Sequence, residues 1–367
     1  MANILLYGYF GHNNLGDDLL FCEALKKIPS KYEIYVDATP EVASNLEEYR
    51  CIRNFHIIHG RKETLSRRYE MLVYGGGGLF PYRKYSFKSL FYWFTVTATC
   101  KKKVFNGLGI VPKIKSPAFA ILLKCLSWCS VRDNMSLEFC KKYRKQVVNC
   151  GDLYFGNKYH YNKHPQQTKK CIVSVAYPFY TNEIILPDVK RRYNTLVKNI
   201  AEAITMIKAR GYEITYLPFF MGRDEPMIAD IQKEMESNDK ILERGIDYTL
   251  DKIDWLFGSF NLALSMRFHS ILLAVKNAVP VIPISYDYKS EELLKEAGLI
   301  EYSTRYGIAK NRCFGIEKDL DMKELKQSIE KVISDQKLIM EKQIMFYKKK
   351  YGQVIDNYRN IFGKDFK

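Results

Sequence analysis

Three short segments carry side chains able to handle an anion or a proton, and each follows an apolar run of strand length. Ser265-Met266-Arg267-Phe268-His269-Ser270 sets an arginine and a histidine two residues apart, after a strand pattern over 262–265 and before a helical pattern beginning near His269. An imidazole that titrates near neutrality beside a fixed guanidinium, both at one helix start, suits proton transfer on an anionic substrate. The competing use of His269 is to cap its helix. Arg132, in Ser130-Val131-Arg132-Asp133, ends another apolar run, where its planar fork fits a carboxylate or a phosphate. Its competing use is an internal ion pair with Asp133. Lys289, in Ser285-Tyr286-Asp287-Tyr288-Lys289 after a strand pattern over 281–284, is a further candidate cation, set against the ordinary case of a solvated lysine.

Glycine-rich turns accompany these side chains. The opening loop runs Gly8-Tyr9-Phe10-Gly11-His12-Asn13-Asn14-Leu15-Gly16-Asp17-Asp18, where glycines permit close backbone approach and either aspartate is available as a helix cap or a functional carboxylate. Gly75-Gly76-Gly77-Gly78 follows the apolar run 71–74 and presents a surface free of side chains. It lacks the Lys-Ser/Thr of a Walker loop and the spacing of a dinucleotide fingerprint, and a tight turn requiring positive φ is its purely structural use. Gly107-Leu108-Gly109-Ile110-Val111-Pro112 closes the run 104–106.

The elements that must hold these loops alternate. Strands are expected at 3–8, 32–36, 71–74, 104–106, 130–132 and 147–149, with helical segments mostly between them, one over 17–28. After the polar, aperiodic stretch 157–170 the alternation restarts with strands at 172–176, 213–217, 262–265 and 281–284 and a long helix over 189–210. Strand–helix alternation predicts parallel sheets covered by helices, and ligands of such sheets bind at the carboxyl ends of the strands. The expected organisation is an N-terminal α/β domain over 1–160, a second over 168–340, and a helical tail over 341–367 that either finishes the second domain or packs back on the first.

Composition bounds the rest. A hydrophobic share of 47% over 367 residues is that of a folded chain long enough for two cores. No apolar run reaches the length of a bilayer span, and Met1 to Phe10 lacks the charged start of a signal peptide, so a cytoplasmic protein is expected. The nine cysteines show no C-x-x-C pair or histidine partners, which argues for a reducing compartment and against a metal centre. The net charge of +16 favours anionic partners such as phosphates or acidic headgroups, or else is a lysine-rich bias on solvated faces. No recognition helix, zinc finger or RNA-binding strand motif is present, so nucleic acid is not an expected partner.

Taken in order, Asn14-x-Gly16-Asp17, Gly75 to Leu79, Gly107-x-Gly109-Ile110-x-Pro112, Val131-Arg132-Asp133 and Arg267-Phe268-His269 through Tyr286-x-x-Lys289 resemble the polysaccharide pyruvyl transferase family over residues 3 to about 300. The resemblance implies a GT-B-like arrangement of two Rossmann-like domains with parallel sheets facing a central cleft. It also implies phosphoenolpyruvate as co-substrate, no cofactor and no required metal. By motif match, Arg132, His269 and Lys289 resemble donor-site residues, with Arg267 as a further anion contact and Gly76 and Gly77 beside the donor. Arg132, Arg267 and His269 are the expected catalytic group, and the loop bearing Tyr9, Phe10, Asn14 and Asp17 is the expected acceptor side. The acceptor so implied is a sugar on a lipid-linked or polymer-bound glycan of the cell envelope, and the positive charge leads to an expected peripheral contact at the inner face of an anionic membrane. Two rivals stand beside this: a glycosyltransferase of the same fold using a nucleotide sugar, since fold alone does not set chemistry, and a non-catalytic basic module that binds anionic polymer.

Overall fold

The computed structural model describes residues 2–79, 95–110, 117–158, 169–178, 188–307 and 319–366. Most of the polar stretch 157–170, together with Val111, Pro112 and Cys313, lies outside the described residues. The chain divides into two compact units, Met1–Lys158 with Lys349–Lys367, and Tyr159–Lys348.

Unit 1 is built on a seven-stranded sheet of order β3-β2-β1-β4-β5-β6-β7. Its strands are β1 (Ala2–Tyr7), β2 (Tyr32–Asp37), β3 (His56–Ile58), β4 (Tyr69–Gly75), β5 (Cys100–Leu108), β6 (Trp128–Val131) and β7 (Val148–Asn149), and all pair in parallel. Central strands buried on both faces read as continuous apolar runs. Leu72, Val73 and Tyr74 of β4 and Val104, Phe105 and Leu108 of β5 are accordingly core residues. The strand order reverses between β1 and β4, which makes the carboxyl ends of these two strands the switch point where a crevice opens in such sheets. Register slips between β5 and β6 at Phe105/Leu108, and Gly107 there takes a φ of 62°, so the backbone of the Gly107-Leu108-Gly109 turn is re-aimed at the sheet edge.

Unit 2 repeats the plan with six strands in the order β10-β9-β8-β11-β12-β13. These are β8 (Lys169–Ser174), β9 (Tyr212–Tyr216), β10 (Lys240–Ile241), β11 (Leu262–Ser265), β12 (Val281–Ser285) and β13 (Thr304–Arg305), again all parallel. The reversal falls between β8 and β11. The expectation of two parallel-sheet α/β domains is therefore what the structure shows. Helix Gln336–Phe362 contributes its residues through Lys348 to unit 2 and those from Lys349 onward to unit 1. In unit 1 its Asn357 accepts from Trp128 Nε1 at 2.8 Å and donates to Asn106 Oδ1 at 2.7 Å, tying the last turns of the chain to β5 and β6.

Candidate functional site

In unit 2 the segment Ser265–Ser270 leaves β11 at the switch point. Ser265 pairs with Ser174 of β8, and Met266 N donates to Ser174 O at 2.8 Å, which holds the exit of β11 against its neighbour. The buried hydroxyls of Ser265 and Ser270 lie 2.8 Å apart and close the strand-to-helix turn. Arg267 sits at the N-cap position of the helix Phe268–Lys276, and His269 is in its first turn with its ring edge-on to Phe268 at 5.0 Å.

The guanidinium of Arg267 is clamped. Its Nε donates to Asp224 Oδ2 at 3.1 Å and its Nη2 bonds Asp224 Oδ1, while Asp224 is fully buried and also accepts from Phe219 N at 3.0 Å and Phe220 N at 2.9 Å. Tyr286, one residue past β12, joins this group. Burial pushes its phenol up to about 12, with the charge and hydrogen bond of Arg267 acting against that rise, so it stays protonated and able to donate. Lys289 stands in the first turn of the helix Tyr288–Glu296, with Nζ 4.0 Å from the carboxylate of Asp287, whose other oxygen caps that helix through Ser290 N at 2.9 Å. Arg267, Tyr286 and Lys289 are thus all carried at the carboxyl ends of β11 and β12.

In unit 1 the loops after β1 and β4 meet at the other switch point. Asn14 caps the helix Leu15–Lys27 by accepting from Gly16 N at 3.1 Å, and Asp17 and Asp18 fill its first turn, where carboxylates favour the helix dipole. Buried Asp18 reaches back to Gly11 N at 3.0 Å and fixes the loop. Gly76 and Gly77 both take a φ of 73°, and a Cβ on Gly77 would stand 2.9 Å from Asp17 Oδ1, so Asp17 and the glycine turn are in direct proximity. Tyr9 is 43% exposed and stacks on His12 at 4.0 Å. Burial lowers the pKa of His12, opposed by the charge of Asp18.

Two of the expected site residues, Phe10 and Arg132, lie inside the fold. Phe10 is a core ring, stacked on Phe21 at 4.7 Å and occupying the space above Gly8 that a side chain there would need, so it supports the loop from below and is withdrawn from the acceptor set. Arg132 is not presented as an open fork at a strand end. Its side chain is buried, with Nε 3.6 Å from Asp133 Oδ2 and Nη1 3.6 Å from Asp152 Oδ2, and it packs over Gly109, where a Cβ would fall 2.4 Å from Nε. Burial raises the pKa of Asp152, and Arg132 is the nearest counter-charge opposing that rise. Gly76 and Gly77 are buried too, and Gly77 O accepts from Gly109 N at 2.9 Å, so this pair joins two strand ends.

Asp224 and Tyr286 lie outside the expected site residues, while Asp18, open to a use as cap or functional carboxylate, is the one that fixes the opening loop. Tyr286 was in view as part of a motif, whereas Asp224 lies 43 residues from Arg267 and follows no sequence signal but Gly222, a turn residue with φ of 79°. Among the described residues no three His, Cys, Asp or Glu side chains gather as a metal would need, and no helix is long and apolar enough to cross a membrane.

A family model for polysaccharide pyruvyl transferase matches residues 14–288. No curated protein matches the chain. Among solved structures, the UDP complex of MnaA from S. aureus superposes with a TM-score of 0.58 at 13% identity, over 99% of this chain and 95% of that one. The UDP-GlcNAc 2-epimerase of Neisseria meningitidis bound to UDP-GlcNAc gives 0.55 at 9% identity, over 94% of each chain. Anabaena Alr3699/HepE in complex with UDP and glucose gives 0.53 at 11% identity, over 98% of each. At such identities the likeness describes the fold, which is GT-B-like.

Proposed function

The chain belongs to the polysaccharide pyruvyl transferase family, and on that premise we propose that it moves the pyruvyl group of phosphoenolpyruvate onto two hydroxyls of one sugar as a cyclic ketal, releasing phosphate. The observation that carries the donor assignment is the cluster at the carboxyl ends of β11 and β12: a guanidinium fixed by a buried carboxylate, a phenol that stays protonated, a lysine, and a histidine in the adjoining helix turn. A substrate with one carboxylate and one phosphate calls for such permanent donors, aimed in advance, since fixed dipoles and charges stabilise developing charge without reorganising.

In the proposed reaction a proton adds to C3 of the enol, which becomes the methyl group. One sugar hydroxyl adds to C2, phosphate leaves through an oxocarbenium-like state, and the second hydroxyl closes the ketal. Of the two hydroxyl protons, one balances the proton taken up at C3 and the other leaves with phosphate. His269 is assigned the proton transfers. Arg267 and Lys289 hold the anionic groups, and Tyr286 donates to them. A donor contact by Arg132 requires its guanidinium to exchange an aspartate for the ligand, so its proposed part is conditional on that exchange. Tyr9, Asn14 and Asp17 are proposed to face the acceptor sugar, on an envelope glycan, and Gly76 and Gly77 remain proposed beside the donor. The positive balance is proposed to favour anionic membrane surfaces, which salt-sensitive flotation with phosphatidylglycerol vesicles tests.

Phosphate release from phosphoenolpyruvate, screened against free and lipid-linked galactosides and mannosaminides, tests the function. Acceptor-dependent release supports it. Consumption of a nucleotide sugar with no use of phosphoenolpyruvate would assign the chain to the rival glycosyltransferase class.

A further inference from the structure

We propose that Asp224 is a positioning residue of the donor site, acting through Arg267, and that the loop 219–224 at the carboxyl end of β9 is the device that sets the direction of that guanidinium. The inference rests on the donor reading of Arg267 given above.

Three observations converge on the loop. The carboxylate of Asp224 is fully buried, which is costly for a charge unless it is paired and hydrogen-bonded. Its partners are the amides of Phe219 and Phe220 on one side and two nitrogens of Arg267, Nε and Nη2, on the other. A bidentate carboxylate–guanidinium pair fixes the plane of the arginine as well as its position. The ring of Phe220 adds a second restraint, with the guanidinium carbon of Arg267 5.8 Å from its centroid and that of Arg223 4.1 Å away. Gly222, at a φ of 79°, lets the chain turn back so that Asp224 N bonds Phe220 O at 3.1 Å and the loop closes on itself.

Arg267 would otherwise be a long side chain with several rotamers, and ordering it on ligand arrival would cost affinity. The clamp removes that cost before the ligand binds. It also offsets the full positive charge of Arg267, so the anion is recognised by directed N–H groups.

The test uses the full-length protein with Asp224→Asn, Arg267→Lys and the double variant. Asp224→Asn keeps a side-chain oxygen that can accept from the Phe219 and Phe220 amides while its NH2 cannot accept from the arginine, and Asp224→Ser is added because its shorter side chain gives up both sets of bonds. For Asp224→Asn and Asp224→Ser the expected result is a phosphoenolpyruvate KM and Kd raised at least about tenfold with kcat within about threefold. In the Arg267→Lys background the Asp224 substitution should add less than about twofold, because both act on one interaction. Losses that multiply, or Asp224 variants that bind phosphoenolpyruvate within twofold of wild type, would overturn the proposal. A second arm needs no donor: the Arg267 Nε–H resonance, assigned by its disappearance in Arg267→Lys, should exchange slowly with solvent in wild type and fast in Asp224→Asn. Equal exchange in the two overturns the positioning role even if the donor proves to be another anion. A wild type that ignores phosphoenolpyruvate but keeps the protected signal rejects the donor reading alone.

Discussion

Arg132 Nη1 and Asp152 Oδ2 lie 3.6 Å apart with both side chains only 3% exposed. The guanidinium is therefore first of all the counter-charge of a buried carboxylate that also accepts from Tyr154 N at 3.1 Å. Removing one partner of such a pair leaves the other charge buried, typically at a cost of about 3–5 kcal/mol. Arg132→Ala should lose stability on that scale in denaturant titrations, and Arg132→Ala/Asp152→Asn should regain most of it. A loss below about 1 kcal/mol in the single variant would contradict the pair's role. With the fold restored, phosphoenolpyruvate affinity at least about tenfold below wild type would identify Arg132 as a donor ligand as well.

Gly77 holds a φ of 73° beside Asp17. Gly77→Ala should cost about 1–2 kcal/mol from the left-handed backbone alone, with the new Cβ displacing the Asp17 carboxylate. Gly78, exposed and without positive φ, is the control, and Gly78→Ala should stay within about 0.5 kcal/mol. Equal stability of the two variants would show that the turn does not require its left-handed geometry.

His12 should titrate below the ordinary histidine value of about 6.5, since burial disfavours its charged form more than Asp18 favours it. A group whose folded pKa is depressed contributes stability above its unfolded pKa and loses it as pH falls toward the folded one. The stability difference between wild type and His12→Gln should thus shrink below about pH 6.5. Asp18→Asn should move the His12 midpoint lower still in an NMR titration. A midpoint at or above the ordinary value would reverse the sign of this account.

Strands of four or more residues were legible in the sequence. The runs expected at 32–36, 262–265 and 281–284 differ from β2, β11 and β12 by at most one residue at either end. β3, β10 and β13 have two or three residues each, too few for periodicity to register, and the start of β5 is hidden by Lys101, Lys102 and Lys103, which are exposed or half-buried. Spacing also placed Arg267 and His269 at a strand-to-helix turn, because that turn is local. It did not show that Phe10 folds beneath its own loop, that Arg132 has Asp152 as partner, or that Asp224 reaches Arg267. Those are contacts of tertiary packing, and a charged residue at a strand end reads the same whether it meets solvent, ligand or a buried carboxylate.

His269 lies in the first turn of its helix, after the N-cap position, and separates proton transfer from a structural part. Loss of a structural contact there costs on the order of 0.5–3 kcal/mol and leaves the protein folded, whereas loss of a general acid–base lowers turnover by about a hundredfold to ten-thousandfold with donor binding kept. His269→Ala and His269→Gln should both melt near the wild-type temperature, bind phosphoenolpyruvate and nearly cease to release phosphate. If His269→Gln retained more than about a third of wild-type turnover, proton transfer would belong to another group, with Asp17 the next to test.

The transfer itself is followed most directly with phosphoenolpyruvate labelled with carbon-13 at C2, incubated with the enzyme and a galactoside or mannosaminide acceptor and read by NMR. The account predicts that the label moves from the enol position to a ketal carbon coupled through oxygen to two positions of one sugar ring, in step with phosphate release, and that excess EDTA leaves the rate unchanged. Label appearing only in free pyruvate, or a sugar product formed from a nucleotide sugar while the labelled donor stays intact, would contradict it.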